Sequence, residues 1–211
     1  MAEGELLKSK CSTDSVQFSR CIGMRSEITY FDSPGPENTE QVLFLAKERA
    51  ERLGIRNIIV ATSSGKTGAL ASRVFEGYSL VIVSHHTGFN SPGEQELREE
   101  FRDEILAKGA KILTTSHALS GVERAVRKQL GSILPLEIMA HTLRLFGQGM
   151  KVCVEITVMA ADAGLIPIDR DIIAIGGTGG GADTCALIRP AHSNNFFDLT
   201  IREIIAKPRT R

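Results

Sequence analysis

The sequence has no excess of either charge, since 25 lysine and arginine residues balance 25 aspartate and glutamate residues. A neutral chain has no general attraction to nucleic acid or to an anionic membrane, so we expect neither as a partner. No apolar run approaches the roughly 20 residues that a membrane-spanning helix needs. Residues 1–20 also lack an apolar signal core. These absences predict a cytoplasmic protein.

Cysteine is scarce, and the four residues present form no Cys-x-x-Cys pair. Cys11, Cys21, Cys153 and Cys185 also have no zinc-site spacing to the five histidines. We therefore expect reduced structural thiols and no bound metal.

Short runs rich in valine, isoleucine and leucine recur along the chain: NIIVAT, SLVIVSH, KILTTS and DIIAIGG, which begin at residues 57, 79, 111 and 171. Such runs, when they alternate with helical stretches, are typical of buried parallel strands joined by crossover helices. The pattern predicts a three-layer α/β/α fold, with EITYF as a short strand and TCALIRPA as a returning strand. We expect residues 24–211 to form a single α/β domain and residues 1–23, which lack periodicity, to form an N-terminal extension.

Capping patterns predict where several helices begin. Asn38, with Gln41 in the return position, is expected to cap the first helix, and Gly54 to end it. Ser91–Glu94 and Ser120–Glu123 both match the capping box. The predicted later helices span residues 65–76, 92–108, 121–130, 135–146 and 150–163. Glu155 and Asp162 fall on one face of the last helix, where they pair with a basic group or serve as functional carboxylates.

The loop TSSGKT, residues 62–67, follows the first buried strand. It is not a P-loop, because that motif requires glycine five positions before Gly65 and Val60 stands there. A simpler phosphate site survives, with Ser64 capping the helix and the N–H groups of Gly65, Lys66 and Thr67 open to an anion. The hydroxyl groups of this loop, and Lys66, would add donors and charge. The alternative is an ordinary helix start with a solvated lysine.

Two other loops belong to the same edge of the predicted sheet, where ligands of such folds bind. The glycine run GGTGGGAD, residues 176–183, matches a dinucleotide fingerprint formally, but a strand rather than a helix follows it. The run indicates close approach to a ligand or a flexible lid, or else a plain hairpin connection. His85, His86 and His117 are expected to line one cleft, as hydrogen-bonding groups or as acid–base catalysts.

Several motifs resemble one family across most of the chain beyond residue 25: GPENTEQ, HHTGF, SHALSG, KVCVEIT, MAADAG, GADT and RPAHSNNFFD. They resemble the pyruvate kinase C-terminal domain, and most closely the stand-alone pyruvate kinase C-terminal-domain-like proteins of archaea and bacteria. The resemblance implies a mixed, mostly parallel sheet of order 3-2-1-4-5, counted from NIIVAT, with the last strand antiparallel. Loop 62–67 would then lie beside loop 176–183. It also implies flavin mononucleotide (FMN) as the ligand.

We therefore expect a small-molecule binding protein that holds a phosphate-bearing ligand, FMN, at the carboxyl ends of the parallel strands. The alternatives are an enzyme that acts on a phosphorylated or flavin-dependent substrate and an interaction module without a ligand, and a homo-oligomer is possible in each case. No catalytic residue is assigned. The expected ligand-binding residues are Thr62, Ser63, Ser64, Gly65, Lys66, Thr67, His85, His86, Thr87, Gly88, Thr115, Ser116, His117, Gly176, Gly177, Thr178, Gly179, Gly180, Gly181 and Asp183.

Overall fold

A computed structural model describes residues 25–210 of the chain. The predicted extension of residues 1–23 lies outside this part, as do Cys11 and Cys21. None of the helices in residues 25–210 has the length and hydropathy needed to cross a membrane.

The described residues contain a seven-stranded mixed sheet of order β1-β7-β6-β5-β2-β3-β4. The strands are β1 (Thr29–Phe31), β2 (Asn57–Thr62), β3 (Ser79–Ser84), β4 (Lys111–Thr114), β5 (Ile172–Gly176), β6 (Thr184–Arg189) and β7 (Thr200–Pro208). Strands β2 to β5 are parallel, whereas β6 runs antiparallel to both β5 and β7. The predicted order is confirmed for β2 to β6. The sequence did not predict β7, which pairs with β6 and, in parallel, with β1.

Six α-helices connect these strands in residues 25–210: α1 (Thr39–Leu53), α2 (Lys66–Val74), α3 (Glu99–Ala107), α4 (Glu123–Leu130), α5 (Pro135–Leu143) and α6 (Gln148–Asp162). Short 3-10 turns precede α1, follow α5 and precede β7, at Pro36–Asn38, Arg144–Phe146 and Ser193–Asp198. Gly54 ends α1 in the left-handed conformation, as predicted.

Alternate residues of the central strands point to the two faces of the sheet, and each face has its own hydrophobic core. On one face Ile58 and Val60 pack with residues of α1 to α3, including Leu43 and Ile105. On the other face Ile59 packs with α6 residues such as Met150 and Ile156. Each fully buried side chain of this size contributes about 1.5–3 kcal/mol. The predicted three layers, α/β/α, are confirmed.

Cys153 and Cys185 belong to these cores and are buried free thiols. Burial raises the pKa of Cys185 to about 12, and it raises the pKa of Cys153 as well. Both groups therefore stay protonated and unreactive near neutral pH. The expectation of structural thiols is confirmed for this pair.

The predicted start of the helix at residue 92 is wrong, because α3 begins at Glu99. Gly93 has a φ of 79° and turns the chain out of the helical conformation. The N–H of Gly88 donates to the carbonyl oxygen of Glu94 at 2.8 Å, so residues 88–94 close a loop. The capping pattern is present in the sequence, but the positive φ at its third residue prevents a helix.

Two other predicted capping interactions do not form. Asn38 precedes α1, but its side-chain amide donates to the carbonyl oxygen of Ser33 at 2.9 Å, because a 3-10 turn has already begun before it. Helix α4 begins at Glu123, two residues later than predicted. The carboxylate of Glu123 accepts from the N–H of Leu136 at 3.1 Å and does not return to Ser120.

Candidate functional site

A cavity of about 640 Å³ lies at the carboxyl ends of the parallel strands. It opens where β2 and β5 are neighbours, and the chain leaves them in opposite directions, to β3 and to β6. This switch point is where open α/β sheets bind ligands. Its wall contains residues from the loops after β2, β3 and β5 and from the loop between β4 and α4. Residues of α6 and of the segment before α1 complete it. We call this space the first cavity.

The loop after β2 begins α2 in a way that the sequence did not predict. The hydroxyl oxygen of Thr62, not that of Ser64, accepts from the N–H groups of Gly65 at 3.1 Å and Gly68 at 3.4 Å. Gly65 has a φ of 99°, and a Cβ there would lie 2.6 Å from Cβ of Phe101. Glycine at this position therefore serves the turn and its packing against α3, rather than approach to a ligand.

The N–H groups of Lys66 and Thr67 remain at the start of α2. The first N–H groups of a helix have no acceptor within it, and Thr62 satisfies only those of Gly65 and Gly68. The side chains of Ser63, Ser64, Lys66 and Thr67 line the first cavity. This end of the cavity combines a positive helix terminus, hydroxyl donors and one ammonium group, which is the chemistry of an anion site.

The glycine loop between β5 and β6 consists of two parts with different roles. Gly181 has a φ of 68°, and a Cβ there would clash with Pro36 and lie 2.6 Å from the hydroxyl oxygen of Thr39. That hydroxyl accepts from the N–H of Ala182 at 2.9 Å and donates to Pro36, which joins the loop to the start of α1. Gly179 and Gly180, in contrast, face open space within the first cavity.

Three aromatic rings, those of His85, Phe89 and His117, line the opposite end of the cavity, and the ring of His86 packs beside them outside the wall. Strand β3 ends at Ser84, so His85 and His86 leave the sheet and both approach His117, with ring centroids at 5.4 and 5.5 Å. The ring of Phe89 stacks on His85 at 4.0 Å and lies nearly parallel to His117 at 5.1 Å. The three imidazoles therefore lie close together, but only His85 and His117 line the first cavity. No group of three or more metal-ligating side chains within residues 25–210 is arranged to hold a metal ion.

The orientation of His85 is set by the loop that follows it. Its Nδ1 lies 2.6 Å from Oε2 of Glu96, and Oε1 of Glu96 accepts from the side-chain amide of Asn90 at 2.7 Å. An ionised carboxylate only accepts, so Nδ1 of His85 carries the proton. In the neutral ring, Nε2 is then an acceptor.

His117 stands beside a buried ion pair of α6. Its Nδ1 lies 3.7 Å from Oε2 of Glu155, which contacts the ammonium group of Lys151, while Oε1 accepts from the N–H of Leu119 at 3.0 Å. Burial is the largest effect on His117 and lowers its pKa to about 4, against the opposing charge of Glu155. His117 is therefore neutral near pH 7 and able to accept a proton.

Eleven of the twenty expected residues line the first cavity: Thr62, Ser63, Ser64, Lys66, Thr67, His85, His117, Gly177, Gly179, Gly180 and Gly181. The other nine do not: Gly65, His86, Thr87, Gly88, Thr115, Ser116, Gly176, Thr178 and Asp183. Gly176 ends β5 with no room for a side chain, since a Cβ would lie 2.6 Å from the carbonyl oxygen of Gly149. Thr87 and Gly88 hold the loop after β3 through hydrogen bonds to Gln95 and Glu94.

Asp183 is fully buried at the other side of the glycine loop, beneath the start of α6. Its Oδ1 accepts from the hydroxyl of Thr184 at 2.7 Å, and its Oδ2 has no hydrogen-bond partner among the described residues. It is a component of the interior, not of the cavity wall.

Sequence reasoning missed several residues of this site, notably Phe89, Glu96 and Gln148, and it missed Lys151, which contacts Glu155 of the wall but does not itself line the first cavity. One of them carried a readable signal, since Lys151 precedes Glu155 by four positions and so shares its helix face. Phe89 and Glu96 gave none, because the fold of residues 88–96 depends on the left-handed turns at Gly88 and Gly93.

The fold and the cavity define an α/β protein with its cleft at the switch point of a mixed sheet. The family model described as the pyruvate kinase alpha/beta domain matches residues 40–188, which is more than half of the 211 residues. The chain belongs to this family. The predicted resemblance to the pyruvate kinase C-terminal domain is thereby confirmed.

Proposed function

We propose that the protein binds a phosphate-bearing small molecule in the first cavity, and that this molecule is FMN. The observation that carries the proposal is that Lys66 and Thr67, the first two residues of α2, line the cavity. A phosphate at this point would meet backbone donors, a positive helix end and a cation together.

The size and the opposite wall of the cavity support a planar ring as the rest of the ligand. A volume of about 640 Å³ falls within the range of small-molecule and cofactor sites. His85, Phe89 and His117 offer ring faces to an aromatic system, which prefers offset or edge contacts with other rings. Gly179 and Gly180 leave open space beside it.

Comparison of FMN with riboflavin, which lacks the phosphate, tests the proposal. Flavin fluorescence titrations of the full chain measure both affinities. Charge-assisted hydrogen bonds contribute about 1.5–3 kcal/mol each, so riboflavin is expected to bind at least about tenfold more weakly. Lys66→Ala should weaken FMN and leave riboflavin nearly unchanged. Equal affinities for the two flavins, or unaltered FMN binding by Lys66→Ala, would refute the phosphate site.

Lys111→Ala is the matched control for the loss of a lysine. Lys111 is exposed at the first residue of β4, which is the end of the sheet away from the cavity. This variant should bind FMN with the wild-type affinity. A similar loss in both variants would mean that the effect comes from net charge and not from the start of α2.

One observation favours a second candidate, an enzyme that acts on the bound molecule. His117 borders the cavity beside the buried pair Lys151–Glu155, and burial keeps its ring neutral near pH 7, so the ring can accept a hydrogen bond or a proton from the bound molecule. Turnover that is lost in His117→Gln, while flavin affinity is retained, would support an enzyme. Turnover unaffected by His117→Gln would remove the basis of this candidate.

A further inference from the structure

A second cavity of about 420 Å³ lies against the first, between α4, α5 and the start of α6. The two cavities share a wall formed by six residues: His85, Phe89, His117, Gln148, Val152 and Glu155. Four basic side chains, other than histidine, and three acidic side chains line the second cavity. Which of these charges are already paired decides what the cavity can bind.

Two of the basic residues have carboxylate partners. Arg127 pairs with Glu137 at 2.7 Å, and Lys151 contacts Glu155. The third carboxylate, that of Glu123, accepts from the backbone N–H of Leu136. Arg124 and Arg144 remain, and neither lies within ion-pair distance of a carboxylate in residues 25–210.

Neutral groups hold both of these arginines at the shared wall. The guanidinium of Arg124 lies over the ring of Phe89, 4.6 Å from its centroid. Nε of Arg144 donates to Oε1 of Gln148 at 2.7 Å. A guanidinium has five N–H donors in a planar fork, so both groups keep their charge and most of their donors for an oxyanion.

The same two charges act on Lys151. Burial lowers the pKa of Lys151 most, Glu155 raises it, and the like charges of Arg144 and Arg124 lower it further. Lys151 is therefore close enough to both arginines for their positive charges to oppose its own. An added anion would reduce the repulsion among them.

We propose that the second cavity binds the carboxylate or phosphate group of a second ligand, with Arg124 and Arg144 as its counter-ions. Since the cavities share one wall, this ligand and the ligand of the first cavity would meet at His117. That meeting rests on the proposed function, whereas binding of the anion does not. The protein would then hold two ligands in contact, the arrangement that a two-substrate reaction requires.

Nuclear magnetic resonance of the ¹⁵N-labelled full chain tests this inference with two probes, inorganic phosphate and malonate. The side-chain Nε–H signals of Arg124 and Arg144 should shift and saturate, and the tighter probe identifies the class of anion. The double variant Arg124→Gln, Arg144→Gln should bind the anion at least about tenfold more weakly. Its affinity is measured from the backbone N–H signal of Leu119, because Leu119 lines the second cavity and not the first.

Lys111→Gln with Lys128→Gln is the control, since it removes two positive charges from exposed residues that border neither cavity. Its affinity should stay within about twofold of wild type. The proposal is overturned if neither arginine signal shifts at on the order of 50 mM of either anion, or if the arginine variant binds as the control does. If the proposed function is wrong, the backbone N–H signals of Lys66 and Thr67 will not respond to phosphate, and this result is independent of the arginine signals.

Discussion

Replacement of His117 by glutamine should make the stability of the protein less sensitive to acid. The side chain of His117 is 12% exposed, and burial lowers its pKa from 6.5 to about 4. The unfolded chain therefore binds a proton on this ring at a higher pH than the folded chain does. Between these two values the unfolded state gains the extra proton, so stability falls as pH falls through this window.

The size of the effect follows from the two pKa values. One pKa unit corresponds to about 1.4 kcal/mol, and the shift from 6.5 to about 4 would cost about 3 kcal/mol when complete. Between pH 7 and pH 5 the ring contributes about 2 kcal/mol of this loss. The His117→Gln variant has no titrating group at this position. Its free energy of unfolding should therefore fall by about 2 kcal/mol less than that of wild type between pH 7 and pH 5.

Urea unfolding at pH 7 and at pH 5 measures this difference, because other groups titrate equally in both proteins and cancel. His141→Gln is the control, since the side chain of His141 is 66% exposed. It should lose as much stability as wild type between the two pH values. If wild type and His117→Gln lose the same free energy of unfolding within about 0.5 kcal/mol, the ring is not desolvated and the reasoning fails.

Two further predictions concern backbone geometry around the cavity, and urea unfolding tests both. Gly181→Ala should lower the free energy of unfolding by about 2 kcal/mol or more, because the φ of 68° at Gly181 and the contact with Pro36 both oppose a Cβ. Gly180→Ala should stay within about 0.5 kcal/mol of wild type, because a Cβ at Gly180 meets open space. Equal losses would contradict the division of the glycine loop into two parts. Thr62→Val should lose about 1–2 kcal/mol, because valine cannot accept from the first N–H groups of α2. An unchanged midpoint would show that water replaces the hydroxyl there.

The central fold was predictable because its signals are local. The buried strands read as continuous apolar runs, and their alternation with helices implies parallel pairing. Strand β7 was not predictable in this way. Its burial is irregular, with exposed residues such as Thr200 and Arg202 among buried ones, and its pairing with β6 contains two register shifts. Only tertiary pairing makes it a strand.

The candidate site likewise has one part that local sequence signals predict and another part that depends on tertiary structure. The anion end was predictable because a glycine and a hydroxyl after a buried strand act within one turn of the chain. The choice of Thr62 over Ser64 was not, since it depends on the left-handed turn at Gly65. Glu96, the partner of His85, was missed because the sequence predicts a helix from residue 92, whereas α3 begins at Glu99.

The two ends of the first cavity therefore differ in how readily substitution alters them. Backbone N–H groups of Lys66 and Thr67 form the anion end, and backbone donors survive most side-chain changes as long as Gly65 keeps the turn. Side chains from distant segments form the other end, where Glu96 orients His85 and Glu155 stands beside His117. The proposed recognition of a phosphate would thus depend mainly on the backbone at the start of α2, whereas the choice of ring system and of any second ligand would depend on those side chains.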